Sequence, residues 1–581
     1  MSAHFIVEQR EDNWQRACRL INFLLRENAE IRWATEPFGA EATNGKPLVL
    51  ERGTFLITDV GTISPLRLQA ALERYGVPAA AVADLRGFVG LLLNPLRIAI
   101  YGGGGAPFNH ARIFAELGFQ VEFISAQEIR AGKLDDYDLF AVPGGGGLAM
   151  VGQLNPLGEE GCRLIKAWVQ RSGMYIGSCA GAFDAAIVAE SFLEVCPQQR
   201  HLQLVNALIW NRGDTEWIGL ESPGVGVIES RNLKPEHPIM FGLPERFNIT
   251  HYNGPLFDVD TDLLPDSSMA TGLSAVAGFS ADFTHSERFL RFSEGCDPQA
   301  TVLGKASHEG RFNIVSGFNG LGRVVLFGSH PEFGYNLAMD DWGLPARMLA
   351  NAAFWQAGQL RKARPPCVKR ESGVAHAWPS GSGLEKIADA CGAVNDAVEQ
   401  LHDLAQAVTA WLAEDHAMSV FGLSGRKVWE RGLEDFADLT GRIHSALERA
   451  TTLLERADAL LSAGGRENDR RRQLLQDMVR AFEDALHYRT PSEWQQDFGY
   501  EGVLQMLART EAMLRRAIEN SDISFEASAN PYAYFESSPF QLVVGSYLAA
   551  NGVYLNCWQL LQVHLLRIEE QIFAIDCAMT D

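Results

Sequence analysis

The sequence predicts an α/β protein, in which a parallel sheet with helices on both faces follows a small amino-terminal α/β unit and precedes an all-α helical bundle. Three observations carry that prediction. From Arg97 onward, short runs that are apolar along their whole length alternate with helical segments, as strands buried on both faces require. Before Arg97 the β-like pieces are short and lie between two amphipathic helices. Beyond residue 384 nearly every segment repeats its apolar residues at threes and fours.

In residues 1–95, Trp14, Cys18, Ile21, Leu24 and Leu25 recur at helical spacing, β-like pieces follow at 30–34, 47–50 and 54–58, and a helix over 65–75 stops at Gly76. No chemistry is legible in this accessory unit. Residues 96–360 form the second unit. Its strands are 97–101, 120–124, 138–142 and 174–177, its helices 109–117 and 156–171. Residues 200–320 turn shorter, more β-rich and loop-rich, before 323–327 returns as an apolar strand and 341–360 as a helix that packs back on the sheet. Residues 361–384 mix Pro, Gly, Ser and basic residues without periodicity and read as a linker. In 385–581, Trp429, Leu433, Phe436, Ile443, Leu447, Ala450 and Leu454 mark one long helix ended by Gly464-Gly465, and further helices run at 470–487, 500–519 and 540–575. Short loops between long amphipathic helices predict an antiparallel bundle, whose Trp and Leu stripes serve as core, protein-partner surface or self-association face. The aromatic segment Asn530–Phe535 is either a packed loop or a docking segment.

A net charge of −22 argues against a surface that neutralises phosphates, so nucleic acid is not an expected partner. Nine cysteines, an odd number without a CxxC pair, suit reduced thiols better than disulfides or a metal site. The stretch MSAHFIVEQREDNW has no basic segment followed by an apolar core, and the apolar run Phe88–Tyr101 is interrupted by Asn94, Pro95 and Arg97. Neither a membrane span nor secretion is predicted, and the expected compartment is the cytoplasm.

The chemistry concentrates at three strand ends. Gly177-Ser178-Cys179-Ala180-Gly181 lies between an apolar strand and an Ala-rich helix, where small residues on either side permit the sharp turn that projects a nucleophile above a sheet. Cys179 at a helix start is favoured as thiolate. Pro143-Gly144-Gly145-Gly146-Gly147 ends another strand, and its backbone N–H groups can converge with that of Ala180 on a developing oxyanion. His330-Pro331-Glu332 follows the last apolar strand, so His330 can take the Cys179 proton while Glu332 orients the imidazole. The glycines at 102–105 lack G-x-G-x-x-G spacing, so no nucleotide cofactor is expected. His110, His251, His285 and His308 read as ordinary surface or core histidines.

Together the glycine-rich loop, the G-x-C-x-G elbow and the distant His-Pro-Glu resemble class I glutamine amidotransferase-like domains over about residues 95–360. GSCAGAF and His251-Tyr252-Asn253-Gly254-Pro255 are most similar to the biotin-protein ligase amino-terminal domain subgroup. The resemblance implies a flavodoxin-like sheet with Cys179 as nucleophile, His330 as base, Glu332 as orienting acid and Gly145 and Ala180 as oxyanion donors. It places Gly144, Gly146, Phe183, Tyr252 and Asn253 at the substrate. The implied function is cleavage or transfer at an amide-type C–N bond of a small molecule or peptide through a Cys179 thioester. The alternative is a silent scaffold of the same shape that binds a small ligand or recruits a protein through its helices. Glutamine-hydrolysing members carry Gln or a similar polar residue where this chain has Phe183, which leaves the acyl substrate open. The glycine- and arginine-rich adenylate motif of a complete biotin ligase is absent.

Overall fold

The computed structural model describes residues 4–61, 63–103, 107–144, 154–188, 202–209, 225–252, 254–259, 269–279, 312–334, 343–358, 382–412, 419–420, 423–462 and 553–579, with scattered positions between 473 and 515. Among them no helix is long and apolar enough to cross a membrane. The architecture is mixed α/β.

The amino-terminal part comprises β1 (His4–Val7), α1 (Trp14–Arg26), β2 (Glu30–Ala34), β3 (Phe38–Ala42), β4 (Pro47–Leu50), β5 (Phe55–Asp59), α2 (Pro65–Tyr75), β6 (Ala80–Arg86) and β7 (Gly90–Leu92). Its strands pair in the order β4-β3-β6-β1-β5-β2-β7, antiparallel throughout. Helix α1 buries Trp14, Cys18, Ile21, Leu24 and Leu25, the stripe seen in the sequence. At the start of α2 the Ser64 side chain accepts from the Arg67 N–H and Pro65 supplies a ready-made φ, while Gly76 at φ 59 ends the helix. Strands β1, β3, β6 and β7 were not legible beforehand. In β6, AAVADLR has weak intrinsic β preference, yet it is paired on both sides, with β1 and β3.

The central part follows as β8 (Arg97–Tyr101), α3 (Pro107–Glu116), β9 (Gln120–Ile124), α4 (Ala126–Arg130), β10 (Leu139–Val142), α5 (Gly158–Gln170), β11 (Met174–Ser178) and α6 (Ala180–Ala185). It continues with β12 (Leu208–Ile209), β13 (Val225–Asn232), β14 (Arg246–Tyr252), β15 (Phe257–Asp258), β16 (Ala270–Phe279), β17 (Phe312–Asn319), β18 (Gly322–Phe327) and α7 (Arg347–Ala357). Neighbours along the sheet are β14-β13-β16-β17-β18-β11-β10-β8-β9. Only β18 to β9 run parallel to one another; β17 turns back against β18 and begins an antiparallel arm. The sheet is therefore mixed where a parallel one was expected, because β13, β14, β16 and β17 extend one edge by antiparallel pairing. In the parallel part every residue of β10, β11 and β18 is buried, which explains their unbroken apolar runs. The register sets Val142 beside Gly177 and Ser178 beside Phe327. The loops leaving β10, β11 and β18 therefore emerge together.

Three long helices lie beyond: α8 (Ser382–Leu412), α9 (Gly425–Ser462) and α10 (Val553–Met579). Because α8 starts at Ser382, the last residues of the expected linker are helical; the remainder of it and Asn530–Phe535 fall outside the described residues. Contacts Arg442 over Trp558, Arg449 with Glu569 and Arg456 with Asp576 advance together along both helices, so α9 and α10 run parallel. Helix α10 also packs on α3, where Arg112 lies 4.7 Å from the Trp558 ring, and it reaches the amino-terminal part. There Glu570 accepts from Arg19 at 2.8 Å, Arg26 at 3.3 Å and the Tyr75 hydroxyl at 2.6 Å. Burial opposes ionisation of Glu570, but Arg26, Arg19 and Tyr75 outweigh it and hold the carboxyl below its ordinary range. Replacing Glu570 by Ala strands these cations, and about 3 kcal/mol of stability is expected to vanish in a urea titration. An unchanged midpoint would refute the clamp.

Candidate active site

Cys179 stands between β11 and α6 at φ 48 and ψ −108, a backbone region that L residues rarely adopt. Two glycines make that turn possible. A Cβ on Gly177 would lie 2.3 Å from the Gly181 carbonyl oxygen, and one on Gly181 would lie 2.2 Å from that of Val142. The elbow is closed further by the Cys179 N–H, which donates to the Phe327 carbonyl at 2.7 Å, and by the Tyr175 hydroxyl, which donates to the Gly181 carbonyl at 2.7 Å. The Ala180 amide belongs to the first turn of α6, where N–H groups have no intrahelical acceptor.

His330 is brought to the same place by the strand next to β11. Its backbone bridges to Thr250 at the end of β14, donating to the Thr250 carbonyl at 2.8 Å, and its ring stacks on Phe333 with centroids 4.2 Å apart. Nδ1 lies 2.8 Å from Glu332 Oε1, and Cys179 is close enough to act on the ring electrostatically. Burial works against the imidazolium, but Glu332 and Cys179 reverse that and lift His330 to about 10. Glu332, also buried, is nonetheless held below the ordinary carboxylate range by His110 and His330. The resting site is a buried imidazolium–carboxylate pair beside sulfur.

The pair has a signature in stability against pH. His330 titrates higher folded than unfolded, so its contribution is whole below pH 6.5 and is lost as pH rises through about 10. Glu332 titrates lower, so its contribution is present above pH 4.5 and is lost as pH falls. Buried His110 acts the other way below pH 6.5, because the unfolded chain takes a proton that the buried ring resists. Urea unfolding is therefore expected to show stability declining from pH 6.5 towards 10. A flat alkaline limb would contradict the pairing.

Gly144 is wedged against the pair: a Cβ there would meet His330 Cε1 at 2.6 Å and the Cys179 Cβ at 2.8 Å. Gly145, Gly146 and Asn253 fall outside the described residues, and only the backbone of Tyr252, the last residue of β14, is described. The chain just beyond returns to the site, since a Cβ on Gly254 would lie 1.7 Å from the Gly328 carbonyl oxygen. Phe183 is buried in the cluster of Phe140, Tyr175 and Ala182, so its ring fills core volume beneath the elbow.

Two histidines that read as ordinary in the sequence belong to this neighbourhood. His110, fully buried on α3, lies 3.1 Å from Ser178 Oγ and 3.7 Å from Glu332 Oε2. His251 Nδ1 lies 3.0 Å from Ser329 Oγ, which also accepts from Asn313 at 2.9 Å. Nothing in their own surroundings in the sequence marks them; the one available hint was a serine immediately before both Cys179 and His330. His285 and His308 lie outside the described residues. Among the described residues no cluster of three or more His, Cys, Asp or Glu could hold a metal ion.

The family model described as "Biotin-protein ligase, N terminal" matches residues 108–205, which include the elbow. No curated protein matches the chain. Similar solved structures include PurLQS from Thermotoga maritima, at 12% identity over 44% of this chain and 97% of that chain, with a TM-score of 0.28. A glutamine amidotransferase from Thermotoga maritima is 13% identical over 45% of this chain and 99% of that chain, with a TM-score of 0.26. Over residues 108–205, then, the chain carries a stretch similar to the amino-terminal biotin-protein ligase family, the same likeness that its motifs carry.

Proposed function

We propose that the protein is a cysteine-dependent hydrolase or amidotransferase-like enzyme acting on an amide-type C–N bond through a thioester at Cys179. The observation that carries this reading is Cys179 on a strained turn beside His330, which is itself paired at 2.8 Å with Glu332. In the reaction, the sulfur anion attacks the acyl carbon, and the oxyanion that forms is held by the Ala180 amide, with the Gly145 amide as the second donor. His330 gives its proton to the departing nitrogen as the C–N bond breaks, which releases the amine and leaves the thioester. Water then adds to the thioester while His330 takes back a proton, and sulfur leaves from the carboxylic acid. Transfer to another acceptor replaces water by that acceptor.

On this reading the parallel half of the sheet is flavodoxin-like, its five strands following the order second, first, third, fourth, fifth along the chain. Gly144 and Gly146 would lie along the bound acyl group, which belongs to a small-molecule or peptide amide. The silent-scaffold alternative is less favoured, because an idle site gains nothing from a buried ion pair beside sulfur.

The test is capture of Cys179 by an iodoacetamide probe in the full chain, with mass-spectrometric mapping. Burial pushes Cys18 up to about 12 and Cys391 up to about 11, so these thiols remain protonated and slow. Selective labelling at Cys179 that falls in His330→Ala supports the proposal. Labelling spread over several cysteines and indifferent to His330→Ala defeats it.

A further inference from the structure

We infer that His110 is a positioning residue of this site, steadying from α3 both the serine before the nucleophile and the oxygen of Glu332 that His330 does not use. The inference rests on the cysteine chemistry proposed above. Its geometry is specific. One nitrogen, His110 Nε2, faces two oxygens at once, Ser178 Oγ at 3.1 Å and Glu332 Oε2 at 3.7 Å. His330 occupies the opposite carboxylate oxygen, Oε1. All four residues are buried.

The tautomer follows from the surroundings. His110 Nδ1 has no hydrogen-bond partner among the described residues, and a buried N–H without an acceptor costs more than an idle lone pair. The proton therefore sits on Nε2, directed at Ser178 Oγ, with Glu332 Oε2 at 3.7 Å within electrostatic reach of it. Burial pushes the His110 imidazole down in spite of Glu332, so the ring is a neutral donor at working pH. A neutral donor suits the role, because it supports the carboxylate without competing with His330 for the positive charge. A protonated ring there would repel the imidazolium and weaken the pair that it adjoins.

A second observation supports the role independently. Ser329, which precedes the base as Ser178 precedes the nucleophile, is held in the same manner by His251 and Asn313. Each chemically active residue thus follows a serine fixed by a histidine from a neighbouring element. Helix α3 is in turn pinned by α10 through Trp558 and Arg112, so His110 approaches from a fixed support.

The test compares wild type, His110→Leu, His110→Gln and Ser178→Ala as full chains labelled with carbon-13 histidine. His330 is assigned by loss of its signal in His330→Asn. His110→Leu is expected to lower the His330 titration midpoint by about one pH unit and to slow iodoacetamide capture of Cys179 about tenfold. His110→Gln keeps an N–H near the Nε2 position and is expected to restore the capture rate to within about threefold. Ser178→Ala, which disturbs the fold least, is expected to shift the His330 midpoint in the same direction as His110→Leu. The inference is overturned if His110→Leu leaves midpoint and rate as in wild type, or if His110→Gln fails as fully as His110→Leu. Should His110→Leu not fold, an unaltered His330 midpoint in Ser178→Ala overturns it. A wild-type Cys179 no more reactive than a free thiol would sink the thioester reading, while the His330 midpoints would still decide the role of His110.

Discussion

Cys179→Ala is expected, on the proposed thioester chemistry, to lower amide cleavage by at least about 10⁴-fold, because a nucleophile and its base act as one unit and losing either removes nearly the whole chemical advantage. The measurement is amine release from a panel of small amides and short peptides, combined with intact-mass detection of the acyl-enzyme. Both signals should vanish in the variant. Persistence of amine release without Cys179 would place the chemistry elsewhere. The same position offers a second, independent readout. Its backbone at φ 48 is strained for any residue with a Cβ, and such strain stores on the order of 1–3 kcal/mol. Cys179→Gly should therefore be inactive and yet more stable than wild type, by about 1 kcal/mol in chemical denaturation. A glycine variant less stable than the alanine variant would mean that the turn is not under strain.

Glu332→Gln is expected to be almost as damaging to turnover, about 10³- to 10⁴-fold, for a different reason. The amide keeps the shape of the carboxylate but removes the charge that lifts His330 to about 10 against its burial. With that charge gone, burial dominates and the imidazole is neutral at neutral pH. Cys179 then lacks both its imidazolium partner and a proton donor for the departing nitrogen. Capture of Cys179 by iodoacetamide, followed across pH, shows the change directly: the rate near neutral pH should fall in the variant. An unmoved profile would mean that Glu332 does not govern His330.

The residues gathered at the site were legible one by one because each stands at the end of an apolar strand beside small residues, and in a parallel sheet such ends open on one side. Cys179, His330, Glu332 and Gly144 meet there for that reason. What escaped notice depends on contacts distant in sequence. His110 is 68 residues from Ser178, and no local pattern announces that a helical histidine will turn towards a neighbouring strand end. The strands β3 and β6 are rich in glycine, alanine and polar residues and β7 is only three residues long, so only their neighbours make them strands. The parallel part of the large sheet was readable from its unbroken apolar runs. Its antiparallel arm was not, since short β-rich segments fix neither partner nor direction until they pair.

The clamp made by Glu570 bears on the order in which the molecule comes together. Arg19 and Glu570 close a loop of 551 residues, so this contact carries a high loop-closure entropy and must form late. During synthesis the amino-terminal sheet and the elbow are complete long before α10 leaves the ribosome, and until then the apolar side of α3 lacks its cover. A pause or frameshift before Val553 would leave a chain that already holds Cys179, His330 and Glu332 but lacks the helix that packs on α3.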